Sequence, residues 1–110
     1  MLTANPQIDA ALADLKDRLQ RLLGPSLKRL ELFGSRARGD ESQESDTDVA
    51  VVVRGLDGRL RDRILTAVAD VELDHLIPLS TVLFSEEGFA ELLRRERRIA
   101  LDIVAEGKPL

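Results

Sequence analysis

The sequence predicts a small α/β (α+β) domain with helices packed against a short sheet. Two observations carry that reading. Apolar residues recur at helical spacing in two long stretches, Ile8 to Leu22 and Leu60 to Val71. Between them, Val49 to Val53 reads "VAVVV", apolar at every position and so suited to a strand covered on both sides. With 110 residues, 44% hydrophobic and 33% charged, the chain is the size of one globular domain, taken as residues 1–110.

Each element has a local cause. Asn5-Pro6 reads as a helix cap followed by proline at the first helical position. Ile8, Leu12, Leu15, Leu19 and Leu22 carry that helix until Gly24-Pro25 stops it. Leu27 to Phe33 reads as a strand, with Leu30 and Leu32 alternating against Arg29 and Glu31. Gly34 to Ser45 is polar and rich in small residues, a turn with room for one helical turn. Asp48 to Val53 is the second strand, Gly55 to Gly58 a turn, and Leu60, Ile64, Ala67, Val68 and Val71 mark the next helix.

Ile77 to Phe84 reads as a third strand, with Pro78 near its start where a missing N–H is tolerated. Ser85-Glu86-Glu87 caps a further helical stretch and places acids at its positive end. Phe89, Leu92, Leu93, Ile99, Ile103 and Val104 keep a helical period, as one helix or two, until Gly107 and Pro109 end it. The expected order is α-β-β-α-β-α.

Composition narrows the function. No cysteine is present, which excludes a disulfide framework, a thiolate zinc site and a catalytic thiol, and fits a cytoplasmic setting. No apolar run reaches the length of about 20 residues that a membrane span needs. The net charge is −4, and aromatics are limited to three phenylalanines. General nucleic-acid coating, which wants a basic surplus and stacking platforms, is therefore disfavoured. The cluster Arg94, Arg95, Arg97 and Arg98 reads as a solvated face balanced by Glu91 and Glu96, and the single His75 as a surface or loop residue.

The chemistry concentrates in "LFGSRARGDESQESDTDVAVVV", Leu32 to Val53. Asp46 and Asp48 stand one residue apart at the mouth of a strand, so period two puts them on one side. Two carboxylates that close repel unless a cation lies between them. Mg²⁺ or Mn²⁺ suits such oxygen ligands, one or two carboxylates plus substrate phosphates being a common arrangement. Gly34-Ser35 follows a strand, where glycine lets a ligand approach the backbone and Ser35 adds a donor. Arg36 and Arg38 are either phosphate ligands or partners of Asp40, Glu41 or Asp46. A phosphate cradle beside a metal clamp equips a chain for phosphoryl or nucleotidyl transfer.

Two other loops fail. Gly34-x4-Gly39 opens like a P-loop, but Asp40-Glu41 occupy the places of its Lys and Ser/Thr. Asp40 to Val51 imitates a calcium loop, yet Ser45 replaces its glycine and Val51 its bidentate glutamate.

The stretch resembles the signature of the minimal nucleotidyltransferases of the DNA polymerase β superfamily: Gly34-Ser35, about ten residues, then Asp46-x-Asp48 entering an apolar strand. Ala37-Arg38-Gly39 and Ser45 match as well. The motif covers roughly a fifth of the chain. The resemblance implies a nucleotidyltransferase fold with a mixed sheet of about three to four strands. It implies Mg²⁺-dependent transfer of a nucleoside monophosphate from ATP or another NTP, with Gly34, Ser35 and Arg38 on the phosphates and Asp46 and Asp48 on metal. In stand-alone members the acceptor is often a hydroxyl on a HEPN-type partner toxin. The alternative it allows is a weak or inactive binding module that neutralises such a partner by contact. Active members carry a third carboxylate on a later strand. Here "IPLSTVLF" has none, Ser80 stands near the expected place, and Asp74 and Glu86 lie just outside the strand.

Overall fold

The computed structural model describes residues 2–39 and 45–110. Helix α1 spans Pro6–Leu23, and the Asn5 side chain accepts hydrogen bonds from the N–H groups of Gln7 and Ile8. A 3₁₀ turn, Gly24–Ser26, delivers the chain to strand β1, Leu27–Phe33. One helical turn follows, α2 at Ser35–Arg38, and then β2, Asp48–Val53. Helix α3 covers Gly58–His75, capped by Asp57, whose side chain accepts from the Leu60 N–H. Strand β3, Ser80–Ser85, leads through the Ser85 cap into α4, Glu86–Arg94. Helix α5, Arg98–Glu106, and a short β4, Lys108–Pro109, complete the described chain.

The sheet order is β3-β2-β1-β4. β1 runs antiparallel to β2 and β4, while β2 and β3 are parallel, joined by the α3 crossover. The sheet is thus mixed and four-stranded. Strand β2 explains why it has helices on both faces. Val49, Val51 and Val53 pack with Leu12, Leu15, Leu19, Ile64 and Val71 of α1 and α3. Ala50 and Val52 pack on the other face with Phe89, Ala100 and Ile103 of α4 and α5. All five of these β2 side chains are buried. Full burial of one valine side chain stabilises by about 1.5–3 kcal/mol, so β2 anchors the domain.

Two boundaries differ from the sequence reading, and one that it left open is resolved. The third strand begins at Ser80 instead of Ile77, because the Ile77 and Leu79 N–H groups are still bonded to the Glu72 backbone and side chain. Pro78 has no N–H, and the ladder starts where the Ser80 N–H meets the Thr47 carbonyl at 2.9 Å. The last helical stretch is two helices, broken where Glu96 takes a φ of 54° and the Arg97 N–H bonds back to the Leu92 carbonyl. Gly107 ends α5, but Lys108-Pro109 then adds an edge strand to β1, where proline needs no donor.

Polar ties lock α1 to α3. Arg18 pairs with Asp14 at 2.9 Å and with Asp74 at 2.6 Å, and His75 Nε2 lies 2.9 Å from Asp14. The Asp14 carboxyl is held below its ordinary range, first by the hydrogen bond from Arg18 and then by that from His75.

Candidate active site

The ladder brings three pieces of the chain to one end of the sheet. Phe33 of β1 sits opposite Asp48 of β2, and Asp48 sits in register with Ser80 of β3. The Gly34-Ser35 turn, the two acids and Ser80 therefore meet where β1 ends and β2 and β3 begin. Gly34 holds φ 78° and ψ −158°, a region essentially closed to other residues. A side chain there would also collide with Asp48 Oδ2. Glycine is thus required twice, by the backbone and by the carboxylate it leaves room for.

Asp48 is half-buried and Asp46 exposed. Burial, followed by the Asp46 carboxylate, pushes the Asp48 carboxyl above its ordinary range, with Arg38 opposing. The two acids thus share one electrostatic site, and their joint ionisation is costly without a cation. Among the described residues no third acid, histidine or cysteine completes a metal cluster. A pair of hard oxygen ligands at a cavity edge fits a divalent cation that takes its remaining ligands from phosphate and water.

A family model described as "Nucleotidyltransferase domain" matches residues 12–104, most of the chain. The chain belongs to the nucleotidyltransferase domain family. A relative from Methanocaldococcus jannaschii, named "Putative protein adenylyltransferase", is 28% identical over 81 residues, covering 73% of this chain and 82% of the relative. A solved toxin–antitoxin structure with AMP-PNP shares the fold at a TM-score of 0.52 and 24% identity, covering 89% of this chain and 70% of the other. A solved MntA-HpeT toxin–antitoxin structure aligns with a TM-score of 0.49 and 24% identity, over 84% of this chain and 67% of that one.

Within this nucleotidyltransferase domain the remaining candidates have the following partners. Arg38 pairs with Glu106 of α5 at 2.9 Å, a partner that sequence distance concealed. Of the acids weighed as its partners, Asp40 and Glu41 lie outside the described residues. Arg36 is buried, and its Nη2 donates to the Ser45 carbonyl at 2.9 Å. Ser80 stands in register with Asp48, near the place where the resemblance leads one to look for a third acid. Neither alternative acid replaces it. Asp74 is committed to Arg18 on the α1–α3 face. Glu86 pairs with Arg54 just past the opposite end of β3, six residues from Ser80 or about 20 Å along an extended chain.

His75 serves as a tie to α1. Arg94 and Arg95 pair with Glu91, and Arg98 with Asp102, as a solvated face would. Among the described residues no helix is long and apolar enough to cross a membrane. The sequence reading did not single out Thr47, buried beside the acids, or Gln7, which reaches the site from α1. Their only sequence signal was position, next to Asp46 and just after the Asn5 cap.

Proposed function

We propose that this domain is a nucleotidyltransferase that moves AMP from ATP to a hydroxyl on a partner protein, in the cytoplasm. The observation that carries the reading is the apposition of Gly34 and Asp48, which puts a phosphate-accepting turn against a carboxylate pair. Gly34, Ser35 and Arg38 bind the β- and γ-phosphates. Asp46 and Asp48 hold Mg²⁺ or Mn²⁺, which when bound neutralises the phosphate charge that grows during displacement. The acceptor oxygen bonds to the α-phosphorus, the bond from that phosphorus to the β-bridging oxygen breaks, pyrophosphate leaves, and the hydroxyl proton passes to solvent. Protein adenylylation is supported by the name of the Methanocaldococcus jannaschii relative. A toxin as partner is supported by the toxin–antitoxin neighbour with AMP-PNP, and we take that toxin to be of HEPN type.

The test is titration calorimetry with Mn²⁺ and a non-hydrolysable ATP analogue, followed by mass spectrometry of a co-purified partner. Binding that is lost in the Asp46→Asn, Asp48→Asn double variant, and a mass gain of one AMP on the partner, are expected. Equal binding by parent and double variant would refute the clamp. A second reading is favoured by one observation, the hydroxyl of Ser80 opposite Asp48. It makes the domain a module that neutralises its partner by contact, and tight partner binding without any AMP transfer would select it.

A further inference from the structure

Beside the carboxylate pair lies a polar cavity of about 280 Å³. Gln7, Arg36, Asp46, Thr47, Pro78 and Ser80 are among its walls, while Gly34, Ser35 and every β1 residue are absent from them. The cavity touches the site through Asp46 but stands apart from the phosphate turn.

Arg36 sets its chemistry. The residue is only 7% exposed, yet among the described residues its guanidinium has no carboxylate partner. Among the described residues its one hydrogen bond runs to the Ser45 carbonyl, and its buried Nε has no partner. A guanidinium carries five N–H donors in a fixed fork, and burying its charge without a counter-charge is costly. Arg38, two residues on, has its carboxylate. A guanidinium on a cavity wall with no carboxylate among the described residues calls for a ligand oxygen.

Topology says which ligand. β2 lies between β1 and β3. With the leaving pyrophosphate on the Gly34-Ser35 turn after β1, an in-line displacement over the β2 acids brings the attacking oxygen from the other side. That side is where Pro78 and Ser80 lead into β3 and line the cavity.

We propose that this cavity is the acceptor subsite, in which Arg36 grips a carbonyl or carboxylate oxygen of a hydroxyl-bearing peptide segment while its hydroxyl reaches toward Asp46. The inference rests on the nucleotidyl-transfer reading, which fixes which side is entering and which leaving. The volume admits one side chain with its adjoining main chain, and Pro78 gives it an apolar wall. Arg36 is a recognition residue here and takes no proton.

The test is amide NMR of the ¹⁵N-labelled protein, with and without Mg²⁺ and a non-hydrolysable ATP analogue. The probes are N-acetyl-tyrosinamide, N-acetyl-serinamide and their free-carboxylate forms, the latter distinguishing a carboxylate from a carbonyl. The expected result is that the probes shift Gln7, Thr47 and Ser80 while the nucleotide shifts Gly34 and Ser35. Arg36→Lys, which keeps the charge and loses the fork, weakens probe binding at least tenfold and nucleotide binding less than twofold. Gln7→Trp, on an exposed residue at the mouth, blocks the probes with the fold intact.

Probe shifts elsewhere, no probe binding, or undiminished binding in both variants would overturn the proposal. So would nucleotide shifts centred on Gln7 and lost in Arg36→Lys, which would make this the nucleoside pocket. Nucleotide that fails to bind the parent, while the probes still fill the cavity, would instead sink the transfer reading and leave a peptide pocket.

Discussion

Gly34→Ala places a methyl group against Asp48, and the structure sets its cost in two parts. The backbone at φ 78°, ψ −158° is strained for any residue with a Cβ, worth about 1–3 kcal/mol. The new Cβ overlaps Asp48 Oδ2 and sits 3.3 Å from Cγ, so the carboxylate must turn away or the strands must part. Overpacking of this kind costs about 1–3 kcal/mol. The expected total is about 2–6 kcal/mol, a fall in Tm on the order of 10–30 °C for a domain of this size. Gly55→Ala is the control, since Gly55 also has positive φ, at 71°, but a Cβ there meets nothing within 4 Å. Urea unfolding of four proteins isolates the contact: parent, Gly34→Ala, Asp48→Ala and the double variant. The double variant should recover at least about 1 kcal/mol relative to additivity, because Asp48→Ala removes the colliding atoms. If Gly34→Ala costs no more than Gly55→Ala, and costs the same with and without the Asp48 side chain, the apposition does not constrain the site.

Three further outcomes follow from the same geometry. In metal-free buffer at pH 7, Asp48→Asn should be no less stable than the parent. Burial and Asp46 raise the Asp48 pKa, so parent stability falls as pH climbs from the ordinary carboxylate range through the raised value, and the neutral amide escapes that fall. Mn²⁺ with an ATP analogue should then raise the parent's Tm and leave the variant's unchanged. Asp14→Asn should destabilise at pH 7, with the difference shrinking in acid. A depressed pKa gives stability that is present above the ordinary carboxylate value and lost as pH falls through the lowered one, which a pH series of thermal melts will show. Ser80→Asp should speed pyrophosphate release by about 10²-fold or more, since a positioned base typically contributes 10²–10⁴-fold, and an unchanged rate would deny this position a role in proton transfer.

What could be read from the sequence was whatever a local cause determines. The Asn5-Pro6 cap, the α1 stripe and the two-sided burial of Val49 to Val53 each depend on neighbours within a few residues. The start of β3 did not, because it is set by Glu72 reaching forward to the Leu79 N–H, a contact that no periodicity encodes. β4 escaped for a similar reason. Lys108-Pro109 carries the marks of a helix end and becomes a strand only because β1 offers an open edge. In the candidate site, the closeness of Gly34, Asp46 and Asp48 was expected from spacing alone. The Arg38–Glu106 pair spans 68 residues and required the fold. Arg36 was an even choice between ligand and ion pair, and its buried side chain, with no carboxylate among the described residues, is visible only in three dimensions.

The register of β2 also settles where a missing acid can be replaced. Parallel pairing of Asp48 with Ser80 and of Val53 with Ser85 ties the direction of β3 to that of β2. Every residue after Ser80 on the strand therefore moves away from the carboxylates, and Glu86 is carried to the far end, where Arg54 holds it. Before it the chain leads back to α3, where Asp74 closes on Arg18. A slip of one residue could not rescue either acid, because it would turn Val82 and Phe84 away from Phe89 and drive Leu83 off the α1–α3 core. Core packing thus fixes the position opposite Asp48, and the side chain at Ser80 decides what stands there.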